Sequence, residues 1–92
     1  MTSDRDLATS TQLTVQVFGV QAELVAARTL DLTLPGARVT AGEVLTAIAE
    51  TYPALRASIG VSRLAVDHEF ASATQVIPAG SEVALIGLVG GG

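Results

Sequence analysis

Glu82-Val-Ala-Leu-Ile-Gly-Leu-Val89, running straight into Gly90-Gly91-Gly92, decides how this chain is read. In an extended strand Val83 and Leu85 fall on one face, and Ala84, Ile86 and Leu88 on the other. Such a strand, apolar on both sides, is either central and fully covered or keeps one face for a partner. Both readings are open at this point. A helix covers only one face of a small sheet, so the second reading gives Ile86 and Leu88 a contact surface beside the chain's end.

The glycines beyond it cannot pack a core, hold a metal or act as side-chain acids or bases. They offer a thin strand with a carboxylate at its tip. Fixing three glycines costs roughly 3–6 kcal/mol with no side-chain burial in return, so the free end is expected to be mobile. A partner groove can offset that cost with main-chain hydrogen bonds and capture of the carboxylate. Without Cβ atoms the end also fits a channel too narrow for alanine. A bare carboxylate is a poor electrophile and needs activation, by adenylation at the expense of ATP, before a nucleophile attacks it. The bland alternative is a frayed end or cloning remnant with no role.

Upstream, Leu13, Val15 and Val17 alternate with polar residues and predict a first strand from Gln12. Gly19 to Ala27 has room for a helical turn. Leu30, Leu32 and Leu34 predict a second strand, stopped by Pro35-Gly36. Thr40-Ala-Gly-Glu43 is a capping box, followed by Val44, Leu45, Ile48 and Tyr52 at near-helical spacing and ended by Pro53. A loop is expected through Gly60, then a short strand over Arg63 to Asp67 with Leu64 and Val66 inward. A turn leads to Phe70, and Pro78-Ala-Gly80 turns the chain into the final strand. The order predicts a small mixed α+β roll of about four to five strands on one main helix. Its first and last strands are too far apart for a hairpin, which leaves parallel pairing open. Residues 1–11 read as a flexible leader, 12–89 as the domain and 90–92 as the tail.

Composition narrows the function. The chain has 92 residues, 49% of them hydrophobic and 15% charged, which suits one domain with a modest core. There is no Cys, hence no disulfide framework, thiolate metal cluster or thiol nucleophile, and a single His68 rules out a two-histidine metal site. The net charge is -4, and Arg5, Arg28, Arg38, Arg56 and Arg63 are scattered, which argues against nucleic acid. No apolar run is long enough for a membrane span and no signal peptide is apparent, so a cytoplasmic protein is the default expectation. Asp67-His68-Glu69 is the one charged cluster where a catalytic dyad could sit, and extended geometry would put His68 opposite its neighbours. Neither a nucleophile elbow nor a phosphate-binding glycine motif is present, leaving the chain poorly equipped to catalyse alone.

In order and spacing, several segments together resemble the β-grasp, ubiquitin-like sulfur carriers, closest to the small subunit of molybdopterin synthase. They are Val15-Gln-Val-Phe-Gly19, Glu23-Leu-Val25, Leu34-Pro-Gly-Ala-Arg-Val-Thr40, Glu43 to Glu50, Tyr52-Pro-Ala-Leu-Arg56, Leu64 to Phe70 and Ala79 to Ile86 before the glycines. The resemblance spans Leu13 to Gly92. It implies that Gly92 is adenylated and converted to a thiocarboxylate that donates sulfur in molybdopterin synthesis, with Gly91 its unhindered neighbour. It implies a partner interface of Phe18, Ile86, Leu88 and Gly90. The implied partners are a ubiquitin-activating-like adenylyltransferase that uses ATP, the large synthase subunit and a sulfur donor enzyme, with no cofactor bound to the carrier itself. Other branches of the family serve thiamine or cysteine synthesis, and a ubiquitin-like conjugation or binding module is the contrasting class. Asp67-His68 stands where relatives commonly have Asn-Gly, which predicts a different turn. Gly87-Leu88 stands where the molybdopterin branch often has Pro-Pro, which predicts a looser tail base.

Overall fold

The computed structural model describes residues 10–87 of the chain. In order, these form β1 (Ser10–Gln16), α1 (Gly19–Val25), β2 (Thr29–Pro35) and α2 (Ala41–Thr51). A 3-10 turn (Pro53–Leu55) and α3 (Arg56–Ile59) follow, then β3 (Ser62–Val66), β4 (Glu69–Phe70) and β5 (Val83–Gly87). The sheet order is β2-β1-β5-β3-β4. β5 therefore sits in the middle, parallel to β1 through Val15 opposite Val83 and antiparallel to β3 over five residue pairs. The parallel pairing left open by the sequence is present.

The alternation of leucines in β2 places Leu30, Leu32 and Leu34 in the core, while Thr29, Asp31 and Thr33 face out. α2 completes that core with Val44 and Ile48, both fully buried, and Leu55 closes it from the 3-10 turn. The capping box forms as expected. The Thr40 hydroxyl accepts from the Glu43 amide at 3.2 Å, and the Glu43 carboxylate accepts from the Thr40 amide at 2.8 Å. Each end of the motif satisfies a donor that the helix itself leaves free.

Gly42, which a helix would not choose, is explained by packing. The segment after β4 crosses the start of α2, where the Gly42 amide donates to the Ala73 carbonyl at 2.9 Å. A Cβ at Gly42 would lie 3.0 Å from that same oxygen. The close backbone approach, and not the helix, selects glycine here.

Four sequence expectations need correction. β1 begins at Ser10, not Gln12: Ser10 pairs with Pro35, and the Thr11 hydroxyl donates to the Gly36 carbonyl. Hydrogen bonding between main chains extends this strand, so hydrophobic alternation could not reveal it. The expected loop after Pro53 is helical. Proline fits the first position of a helix, and four residues are too few to show a period. Asp67 belongs to a turn instead of ending β3. That turn also keeps the geometry that Asn-Gly would give, because Asp67 and His68 both have positive φ, 52° and 72°. Two positive values between antiparallel strands are the type I′ pattern, whose twist matches that of the strands. The turn therefore does not differ in kind, and it removes the alternation expected of an extended Asp67-His68-Glu69.

Candidate functional site

β5 places its side chains as the sequence suggests. Val83 and Leu85 are buried in the core, while Ala84 and Ile86 lie on the opposite face and are half-buried. Among the described residues no helix covers that second face. It forms a groove of about 370 Å³ lined by Phe18, Ala65, Phe70, Ala84 and Ile86, with Gln16, His68 and Glu82 on its rim. The chain has only two phenylalanines, and both stand on this groove at 53% and 50% exposure. Small alanines on β3 and β5 form the floor between them. Exposed apolar troughs with aromatic walls are the kind of surface on which interaction sites are found.

Of the residues the resemblance assigns to a partner interface, Phe18 and Ile86 both line this groove. Leu88, Gly90, Gly91 and Gly92 lie outside the described residues. Phe70 was not singled out by sequence, where it read only as the residue after a turn. Its signal was composition: a chain this poor in aromatics has few candidates for a contact anchor. The Arg63 guanidinium lies 4.8 Å from the centre of the Phe70 ring, a cation–π contact that favours this ring position.

The rim is polar and tied together. Glu82 accepts from the Gln16 carboxamide at 3.3 Å, and its other oxygen lies 3.5 Å from His68 Nε2. Asp67 closes the hairpin onto β5: its amide donates to the Glu82 carbonyl at 2.8 Å, and its carboxylate accepts from the Glu82 amide at 2.9 Å. His68 is well exposed, and its contact with Glu82 is a surface pair of small energetic weight. Among the described residues no cluster of His, Asp or Glu is arranged to hold a metal ion.

The root of the tail has a second feature that sequence did not reveal. Gln21, on the α1 face turned toward β5, is only 7% exposed. Its Nε2 donates to Ser62 Oγ at 2.9 Å and Ser58 Oγ at 3.1 Å. Both serines spend their own hydrogens on main-chain carbonyls, Ser58 on Leu55 and Ser62 on Ser58, so toward Gln21 they can only accept. This fixes the carboxamide with nitrogen inward and oxygen outward. A Cβ at Gly87 would sit 3.3 Å from that oxygen, so the two residues are packed to fit each other.

A mixed sheet with its first and last strands parallel at the centre, wound around one main helix, defines the ubiquitin-like β-grasp class. The chain belongs to the ThiS family, whose model matches residues 15–92. It is a small β-grasp sulfur carrier or ubiquitin-like modifier, and carriers of this kind work with adenylating, ubiquitin-activating-like enzymes. Two solved structures are similar. One is SAMP1 from Haloferax volcanii, with TM-score 0.71 and 26% identity, covering 89% of this chain and 100% of that one. The other is the small archaeal modifier protein 1 of H. volcanii, with TM-score 0.69 and 25% identity over 82% of this chain and 94% of that one. No curated protein matches the sequence. No helix among the described residues is long and apolar enough to cross a membrane.

Proposed function

We propose that this protein carries sulfur on its C-terminal glycine for the synthesis of molybdopterin. A single observation supports this best: the strand leading to Gly90-Gly91-Gly92 is the central β5, and an aromatic-walled groove lies open along its outer face. In this reading a docking surface and a reactive end come from the same strand. Family membership supplies the chemistry that such an end undergoes.

In this reading the Gly92 carboxylate oxygen attacks the α-phosphorus of ATP on the activating partner, and pyrophosphate leaves. The outer sulfur of a persulfide on a donor enzyme then attacks the acyl-adenylate carbon and AMP leaves; a second thiol attacks the donor's inner sulfur, forming a disulfide with it and releasing the thiocarboxylate. The large synthase subunit receives the tail, and the terminal sulfur attacks a carbon of the pterin precursor with loss of an oxygen substituent, two carriers acting in turn to supply the two sulfurs of the dithiolene. Hydrolysis of the resulting acyl–sulfur bond returns the carboxylate. Phe18, Phe70 and Ile86 hold the carrier on its partners while Gly91 and Gly90 pass through the narrow channel.

A second reading has its own support, because the similar solved structures are those of an archaeal modifier protein. The same activated carboxyl group, attacked by a lysine amine of a target, would give an isopeptide bond. This chain contains no lysine, so a modifier of this kind would attach singly and not build lysine-linked chains on itself.

Intact-mass measurement after incubation with ATP, the activating enzyme and a sulfur source tests the proposal. The expected product is heavier by the exchange of one oxygen for one sulfur at the terminus. Deleting Gly92 should abolish it in a chain that remains folded. Addition of the large synthase subunit and precursor should then yield the dithiolene. A terminus that never gains sulfur would reject the carrier reading, and lysine adducts on other proteins in its place would establish the modifier.

A further inference from the structure

Beside the aromatic-walled groove, on the other flank of Ile86, lies a second groove of about 460 Å³ between α1, α3 and β5. Val20, Leu24 and Val61 stand on it and are each more than half exposed. None of its lining residues is charged, and Gly87, the root of the tail, forms one end. Gln21 is part of this lining, and its outward oxygen faces Gly87. It accepts from no donor among the described residues and is not sealed from solvent. A side chain more than nine-tenths buried, clamped by two serines and left with one unused acceptor, is a fixed polar point in an otherwise apolar trough.

We infer that this groove receives an apolar segment of the adenylating partner, and that Gln21 Oε1 accepts one hydrogen bond from an uncharged donor on that segment. The inference rests on the reading of Gly92 as the adenylated residue. Five residues follow Gly87, and fully extended they span no more than about 18 Å. An enzyme that acts on Gly92 must therefore bring its own surface close around Gly87, where this groove opens. The apolar walls ask for an apolar occupant. A cationic donor would lose its hydration there with no carboxylate to replace it, so a main-chain amide, hydroxyl or indole N–H fits the acceptor. A partner lacking that donor would bury the Gln21 oxygen unsatisfied, which makes the residue a discriminator between enzymes.

Steady-state adenylation of the full-length protein by its activating enzyme, followed by ATP–pyrophosphate exchange, tests this. Val20→Asp and Leu24→Asp alter exposed positions that folding does not need, and each should raise the KM for the carrier at least tenfold with kcat little changed. Gln21→Met keeps the length but removes the acceptor. It should raise KM about tenfold, the scale of one donor left unsatisfied at an interface. Val76→Asp, exposed on the far crossing segment, should match the unaltered protein. Unchanged KM in folded Val20→Asp and Leu24→Asp would overturn the inference while leaving adenylation of Gly92 intact. A dimer of this chain that Leu24→Asp dissociates, with adenylation unaffected, would overturn it as well, by giving the groove to a second copy. Absence of any exchange with the unaltered protein would instead defeat the proposed function, and this inference with it.

Discussion

Gly87 and Gln21 illustrate how a single residue is chosen by a neighbour distant in sequence. The Gln21 carboxamide cannot retreat from a new Cβ without breaking its bonds to Ser58 and Ser62. Gly87→Val is therefore expected to destabilise the protein by about 1–2 kcal/mol through overpacking, although valine is the better strand former. Truncating Gln21 to alanine in the same chain should recover much of that loss, a non-additivity visible in urea unfolding of the two single variants and the double. Neither residue could be matched from sequence. Gln21 looked like one more polar residue in a short segment, and its burial follows only once α1 packs on the 3-10 turn beside Ser58, Ser62 and Gly87. Ile86 was legible because strand alternation assigns it a face whatever its neighbours do.

At the level of elements, the hairpin joining β3 and β4 reaches a type I′ geometry with Asp67 well suited to the first central position and His68 standing where glycine is preferred. A non-glycine residue at positive φ carries a steric cost of about 1 kcal/mol or more. His68→Gly should therefore raise stability by about 0.5–1 kcal/mol, read from the denaturation midpoint, since the exposed contact with Glu82 contributes little. Asp67→Ala should act in the opposite direction, because it also removes the acceptor for the Glu82 amide. The contrast explains what the sequence could and could not show. The capping box of α2 was legible because its hydrogen bonds are local, between residues three apart. The turn was misjudged because its conformation is imposed by the strand pairs on either side and by a carboxylate bonded fifteen residues away. The short α3 escaped notice for a third reason, since one turn of helix has no periodicity to read.

For the molecule as a whole, the core is one continuous cluster reaching from β2 across to β3, and Leu85 lies at its centre with no exposed surface. Leu85→Ala is expected to cost about 2–5 kcal/mol, the range for emptying a fully buried leucine site. The loss should appear as a lower urea midpoint with an unchanged slope, as for a domain that unfolds in one step. The expectation of an α+β roll held at this scale because hydrophobic alternation and a capped helix are summed over many residues. The central place of β5 has a mechanical meaning too. On the proposed function, an enzyme that drew the glycine end into a channel would pull along the strand axis. β1 and β3 grip β5 from both sides, so the load falls on their hydrogen bonds in shear, all at once, and not one after another as in a zipper. On the proposed function, the domain is an anchor as well as a label, its fold staying closed while partners pull on the chain beyond it.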